Sequence, residues 1–227
     1  MSHGKQFTLY SIIGGTNGTK VTYLLEELGL TYDTIYLDYR KDEQKSPDHI
    51  KLNPNGRIPT IIDHQNSDFS LWESNAILQY LVDKYDKEDK FSVTKPEDKH
   101  IQSQWLYFQA SGQGPYFGQL GWFKLYHPEK FDSAIERYEK EVKRVFGVLE
   151  SVLSKQDWLV GGKYTIADLS FLAWHNMAVK FLLDNYDCAK EYPSLDKWAK
   201  RMDERPAIKK VNAHLEALKK AQDSKEG

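Results

Sequence analysis

The chain has 227 residues, 40% of them hydrophobic, with a formal net charge of −2. That length and content can bury a core in one large domain or two small ones, and the near-balanced charge argues against a dedicated nucleic-acid surface, for which a basic stripe is expected. No window reaches the ~18 consecutive apolar residues of a membrane span, and the opening MSHGKQFTLY lacks the apolar run of a signal peptide, so a cytoplasmic protein is expected.

In chain order, Gln6 to Ser11 alternates like a strand, and Lys20 to Leu28 places Val21, Leu24, Leu25 and Leu28 at helical spacing before Gly29. Between them IIGGTNGT reads as a glycine-rich loop. Tyr32 to Leu37 predicts the next strand, and Ser46-Pro47-Asp48 opens a short helix, with Ser as cap and Pro in the first turn. Asn53-Pro54-Asn55-Gly56 is a turn cluster, because Pro fixes φ while Asn and Gly tolerate positive φ. Thr60 to Asp63 and Phe69 to Trp72 then read as a hairpin pairing Ile61 with Leu71. A helix follows at once from Glu73-Ser74, with Ile77, Leu78, Leu81 and Val82 on its apolar face. The order predicts an α/β, thioredoxin-like βαβ-α-ββα domain over residues 1–86.

Lys87 to Lys95 is charged and aperiodic and reads as an exposed linker. Residues 96–227 read as an all-helical domain: Pro96 to Gly112, Asp132 to Ser154, Thr165 to Asn176, Pro193 to Glu204 and Ala207 to Lys220, with a polar frayed tail AQDSKEG. Thr165-Ile166-Ala167-Asp168 is a capping box. Tyr116, Phe117, Trp122 and Phe123 flank the glycine-rich break Gly112-Gln113-Gly114-Pro115. Although helical spacing makes most such aromatics core, these four are expected to line an apolar pocket for hydrophobic molecules.

The single cysteine, Cys188, excludes an internal disulfide framework and reads as an ordinary half-buried thiol. The seven histidines follow no metal-binding spacing, so no metal is expected. Two features suggest binding. Pro59 opens a strand and donates nothing to a ladder, so the backbone of Ile58 can pair with an extended, peptide-like ligand; the alternative is a plain strand-start proline. Glu73 and Ser74 can meet an ammonium and a carboxylate at a helix start, or simply cap it. If the bound peptide carries its own thiol, the protein's task is to lower that thiol's pKa from an unperturbed value of about 8.5. The amide of Asn17, the hydroxyl of Thr16 and the positive end of the following helix are suited to this, the alternative being a flexible turn.

Taken together, LYSIIGGTNGTKVTYLLEELGL, NPNGRIPTIID, LWESNAILQYL and GGKYTIADLS resemble the cytosolic glutathione transferases over nearly the whole chain. The nearest likeness is to the fungal class related to the nitrogen-regulatory prion protein and to the bacterial nu class. These share an Asn-Gly pair opening the first helix, an NPN[AG][RK][IV]P loop, an [FW]ES helix start and an ERYxxEVxRVxxVLE stretch, here ERYEKEVKRVFGVLE. The resemblance implies a homodimeric enzyme that activates glutathione as a thiolate for attack on hydrophobic or aromatic electrophiles. It implies that Asn17 stabilises the thiolate and that Pro59 is a cis-proline positioning Ile58 against the glutathione cysteine. Glu73 and Ser74 would take the γ-glutamyl end and Gln44 the glycine carboxylate, helped by Lys45 and Lys51, while Arg137 reaches the glutathione site. The chain departs from relatives in having Gly15-Thr16 before the Asn-Gly pair, and Tyr10 stands as a second possible activator. Two rival functions remain: a glutathione-dependent disulfide reductase, and a non-catalytic carrier or regulator. The absence of an Asn-rich N-terminal extension weighs against a purely regulatory role.

Overall fold

Alternation over Phe7–Ser11 produces β1, which buries Phe7 and Leu9 on one sheet face. It is followed by α1 (Thr16–Glu27), β2 (Tyr32–Tyr36), two 3₁₀ turns (Tyr39–Lys41 and Glu43–Lys45), α2 (Pro47–Leu52), β3 (Thr60–Asp63), β4 (Phe69–Trp72) and α3 (Ser74–Tyr85). The strands lie in the order β2-β1-β3-β4, with β1 parallel to β2 and β3 antiparallel to both β1 and β4. Ile61 lies opposite Leu71, the expected hairpin register. This is a thioredoxin-like arrangement. The computed structural model describes residues 4–184 and 186–226; its chain divides into one unit of Met1–Lys87 with Glu204–Gly227 and another of Glu88–Asp203.

Within the first unit, Leu9, Val21, Leu24, Leu25, Ile61, Ile77 and Leu78 are fully buried. Each such side chain contributes about 1.5–3 kcal/mol, whereas an exposed pair such as Lys51 and Asp48, 2.9 Å apart, is screened by solvent and adds little. The packed core, and not the surface charge, holds the unit together. Two differences from the sequence reading arise here. Helix α1 starts at Thr16, four residues before the predicted start, because Gly18 is not a loop glycine. A Cβ there would lie 2.0 Å from the Ser11 hydroxyl, so glycine lets the first turn close onto the end of β1. The last helix, α10 (Pro206–Glu226), falls in the first unit and not with the helical one. Tyr23 of α1 donates to Asn212 Oδ1 at 2.6 Å, Arg205 forks onto the Glu27 carboxylate, and Lys210 reaches Glu26 at 2.7 Å. The tail predicted to fray is helical to Glu226, as its run of strong helix formers allows.

The second unit is built from α4 (Pro96–Phe108), α5 (Gly114–Gly121), α6 (Asp132–Leu153), α7 (Ile166–Met177), α8 (Cys188–Glu191) and α9 (Pro193–Asp203). Its core holds Phe117, Phe146, Phe171 and Trp198. The stretch Lys87 to Lys95, expected as an exposed linker, is exposed at both ends and buried at its middle. Phe91 and Val93 are buried, the Phe91 carbonyl accepts from the Ile166 N–H at 2.8 Å, and Val93 occupies space that a Cβ on Gly161 would need. The expected break at Gly112-Gln113-Gly114-Pro115 is also absent. A π-helical turn, Gln109–Gln113, carries α4 into α5, and the wider register accommodates a proline that has no N–H to give. Gln109 donates to Gln113 Oε1 and Gln113 to the Phe171 carbonyl, both at 3.1 Å, which pins the turn. The capping box is present: Thr165 Oγ1 accepts from the Ala167 N–H, and Asp168 Oδ2 accepts from the Thr165 N–H.

His175, on α7, is buried against the Phe146 ring, centroids 5.2 Å apart, and its Nδ1 has no hydrogen-bond partner among the described residues. Burial pushes its pKa down to about 4, although the Asp196 carboxylate works the other way. A depressed folded-state pKa means that its contribution is complete above the unfolded value of about 6.5 and is lost as pH falls towards 4. Complete loss amounts to about 3 kcal/mol. Asp168, raised by burial to about 6, acts in the opposite sense over part of this range, so the wild-type curve alone is not diagnostic. The difference between wild type and His175→Gln in unfolding free energy against pH should carry the histidine slope between pH 6.5 and 4. Parallel curves would refute it.

Candidate active site

The site is built on the turn after α2. Asn53 is buried; its Nδ2 donates to the Arg57 carbonyl at 2.8 Å and to Thr60 Oγ1 at 3.0 Å, while its Oδ1 accepts from the Asn55 N–H at 3.0 Å. Gly56 has φ +59°, a left-handed conformation that a side chain would strain, and a Cβ there would also displace the Lys45 side chain, whose Cδ would lie 2.8 Å away. His49 bridges the Gln44 carbonyl at 2.9 Å and the Thr60 hydroxyl at 3.2 Å. These bonds hold Ile58 and Pro59 at the mouth of β3, with the Ile58–Pro59 peptide bond cis.

Opposite this turn, α3 begins at Ser74. Its cap, Glu73, sits at φ +71° and ψ 109°, a region disfavoured for a residue with a Cβ, and its side chain is exposed. Strain of this kind marks a place where geometry is fixed for a purpose other than stability. The third wall is the first turn of α1, where Asn17 is half-buried. Asn17, Ile58, Pro59, Glu73 and Ser74 therefore meet around one cleft of about 70 Å³. At about 30 Å³ per water molecule, that volume accepts one end of a ligand, with the remainder lying over the surface.

Sequence reasoning missed four further residues around this cleft, Asn53, Asn55, Arg57 and Trp72. Three of them lie in the NPNGR run, whose turn chemistry was read without its side chains.

Other expected residues lie elsewhere. Gln44 is buried in its 3₁₀ turn, with its amide on Asp42 Oδ1 at 3.3 Å, and does not line the cleft. Lys45 donates to the Asn55 carbonyl at 3.1 Å, and Lys51 pairs with Asp48. The Tyr10 ring packs on His49, centroids 5.4 Å apart, and burial followed by the Asp48 charge pushes its pKa up; it is not a cleft residue. Arg137 is an exposed residue on α6 of the other unit. Of the four aromatics expected to form a pocket, Phe117 is corrected to core: it is fully buried, edge-on to Phe146 and Trp174. Tyr116 and Phe123 are half-buried and pack on Tyr138, while Trp122 is half exposed and stacks on Tyr126.

The cleft presents amide and backbone donors, an exposed guanidinium at Arg57, a carboxylate at Glu73 and the positive end of α1. This suits a ligand end bearing both an ammonium and a carboxylate. The cleft holds no cysteine, and no histidine or lysine stands among its lining residues to activate the Ser74 hydroxyl, so a thiol nucleophile must arrive with the ligand. Cys188 does not serve: it is buried, and burial with the nearby Asp196 and Glu150 charges pushes its thiol up to about 12. Among the described residues no group of His, Cys, Asp and Glu could hold a metal, and no helix is long and apolar enough to cross a membrane.

The glutathione S-transferase N-terminal domain model matches residues 5–83, and the corresponding C-terminal domain model matches residues 115–206. Glutathione S-transferase 1 of Schizosaccharomyces pombe is 49% identical over 230 residues, 96% of this chain and 99% of that protein. The glutathione transferase URE2P6 of Phanerochaete chrysosporium, crystallised in complex with oxidized glutathione, is 61% identical with a TM-score of 0.94, covering 96% of this chain and 100% of that one. Ure2p5 of the same organism, cocrystallised with 1-(S-glutathionyl)-2,4-dinitrobenzene, is 50% identical with a TM-score of 0.88, covering 96% and 97%.

Proposed function

Because the chain belongs to the glutathione S-transferase family and is of the fungal Ure2 type, we propose that the cleft at Asn17 is where it binds glutathione and ionises its thiol. The chain is a glutathione transferase, with glutathione as co-substrate. In our reading it is of the Asn type, as in the bacterial nu class: the Asn17 amide and the N-terminal dipole of α1 hold the sulfur as thiolate. The backbone at Ile58, ahead of Pro59, pairs with the cysteine of glutathione. The γ-glutamyl ammonium goes to Glu73, and its carboxylate goes to Ser74 and the α3 N-terminus. Arg57 takes the anion role assigned to Gln44, which is buried away from the cleft.

The thiolate then attacks a soft electrophilic carbon of a hydrophobic, aromatic acceptor, displacing its leaving group or adding to it. Tyr116, Trp122 and Phe123 of the helical unit are the acceptor-binding aromatics in this reading. Thiol ionisation and juxtaposition supply the acceleration. We further assign a homodimer, with Arg137 acting across it, and a cytoplasmic location. The observation that carries the reading is the convergence of Asn17, Pro59, Glu73 and Ser74, from three separate stretches of sequence, on one cleft.

A second reading is favoured by the oxidized glutathione held by the 61% identical relative: the same thiolate could attack a disulfide instead of carbon. Side-by-side assay of a haloaromatic acceptor and a glutathionyl mixed disulfide tests the two. Conjugation exceeding disulfide exchange supports the first reading, exchange alone supports the second, and hydrophobic-ligand binding with neither activity supports a carrier.

A further inference from the structure

Lys20 is fully buried, the one lysine that is so among the described residues, and it lies on α1 one turn beyond Asn17. Its Nζ donates to Asn75 Oδ1 at 3.0 Å, and Asn75 stands in the first turn of α3, next to Ser74. The Glu73 carboxylate is its electrostatic partner, and burial brings its pKa down to about 7. A lysine ammonium is strongly hydrated, and an apolar residue of similar length would pack at this position without that desolvation penalty. Burying it here therefore points to a specific task for the charge and its hydrogen bond.

Resting on the functional reading above, we propose that Lys20 is a positioning residue for the γ-glutamyl end of glutathione: it ties the α1 turn carrying Asn17 to the α3 turn carrying Glu73 and Ser74. Two consequences follow from the connection. The distance between the sulfur subsite and the amine and carboxylate subsite becomes a fixed property of the fold. The unusual backbone of Glu73 is also held by a charge beneath it, which keeps its carboxylate turned to the cleft. Lys20 itself touches neither the sulfur nor the acceptor.

The test compares wild type, Lys20→Met and Asn75→Ala, using glutathione and cysteinylglycine, which lacks the γ-glutamyl group, as probes. Asn75 is half-buried, so its variant remains informative if Lys20→Met does not fold. The expected result is that the ratio of glutathione to cysteinylglycine affinity falls about tenfold. KM for glutathione should rise in step, more than kcat falls. Folded variants that keep the wild-type ratio, or that weaken both probes equally, overturn the proposal while leaving the functional reading intact. A wild-type protein that binds no glutathione overturns both.

Discussion

Replacing Asn17 with alanine should lower kcat/KM for conjugation by about 10²-fold, the cost of removing one preorganised donor from a developing or resident anion. The sign follows from the chemistry of the cleft. It holds no thiol of its own, so the rate depends on the fraction of bound glutathione present as thiolate. An amide hydrogen bonds the thiolate more strongly than the thiol and lowers its pKa; alanine returns that pKa towards about 8.5. Asn17 is a half-buried second residue of α1, where alanine is a good helix former, so melting should be almost unchanged. Ultraviolet titration of the bound thiolate and steady-state kinetics check this together. Unchanged kinetics in Asn17→Ala, with Tyr10→Phe abolishing conjugation, would move the activating role to Tyr10.

The largest loss of stability is expected at Asp168. Its fully buried carboxylate accepts from the Leu159 N–H at 2.9 Å, the Thr165 N–H at 3.0 Å, the Thr165 hydroxyl at 3.1 Å and Trp198 Nε1 at 2.9 Å. One side chain thus caps α7, holds the preceding loop and anchors the core tryptophan of α9. Truncation to alanine strands several buried donors, each costing about 1–3 kcal/mol, with partial relief from relaxation and water. A net loss of about 4 kcal/mol, or roughly 10 °C in the melting of the second unit, is expected. Asp168→Asn, which keeps one acceptor oxygen, should fall between the two. A melting change below about 2 °C in Asp168→Ala would contradict this account.

Much of the first unit was legible because its signals are local. The Asn53 to Gly56 turn and the Ile61 and Leu71 pairing, like the Thr165 to Asp168 cap of the second unit, each depend on residues no more than about ten positions apart. The misreadings share a cause in tertiary contacts. Gly18 looked like loop material because nothing in the local sequence shows that Ser11 packs against it. Pro115 looked like a break because a π-helical turn, held by the distant Phe171 carbonyl, has no short-range signature. Phe91 and Val93 sat in a charged stretch, yet are buried beside Tyr164 and Gly161.

The site was legible in part for the same reason. Asn17, Pro59, Glu73 and Ser74 are each marked by local chemistry, a donor at a helix start or a proline at a strand start, while their convergence required the fold. Gln44 has the right residue type but turns inward onto Asp42. Lys20 did carry a signal, standing four residues before Leu24 and so on the buried face of α1, and it was passed over because lysine at a helix start is ordinarily a solvated residue.

The most direct test of thiol activation by uncharged donors is a crystal structure of the protein with bound glutathione. The account predicts the sulfur within hydrogen-bond distance of Asn17 at the first turn of α1, with the γ-glutamyl group on Glu73 and Ser74. Glutathione bound with its sulfur remote from Asn17 would contradict it.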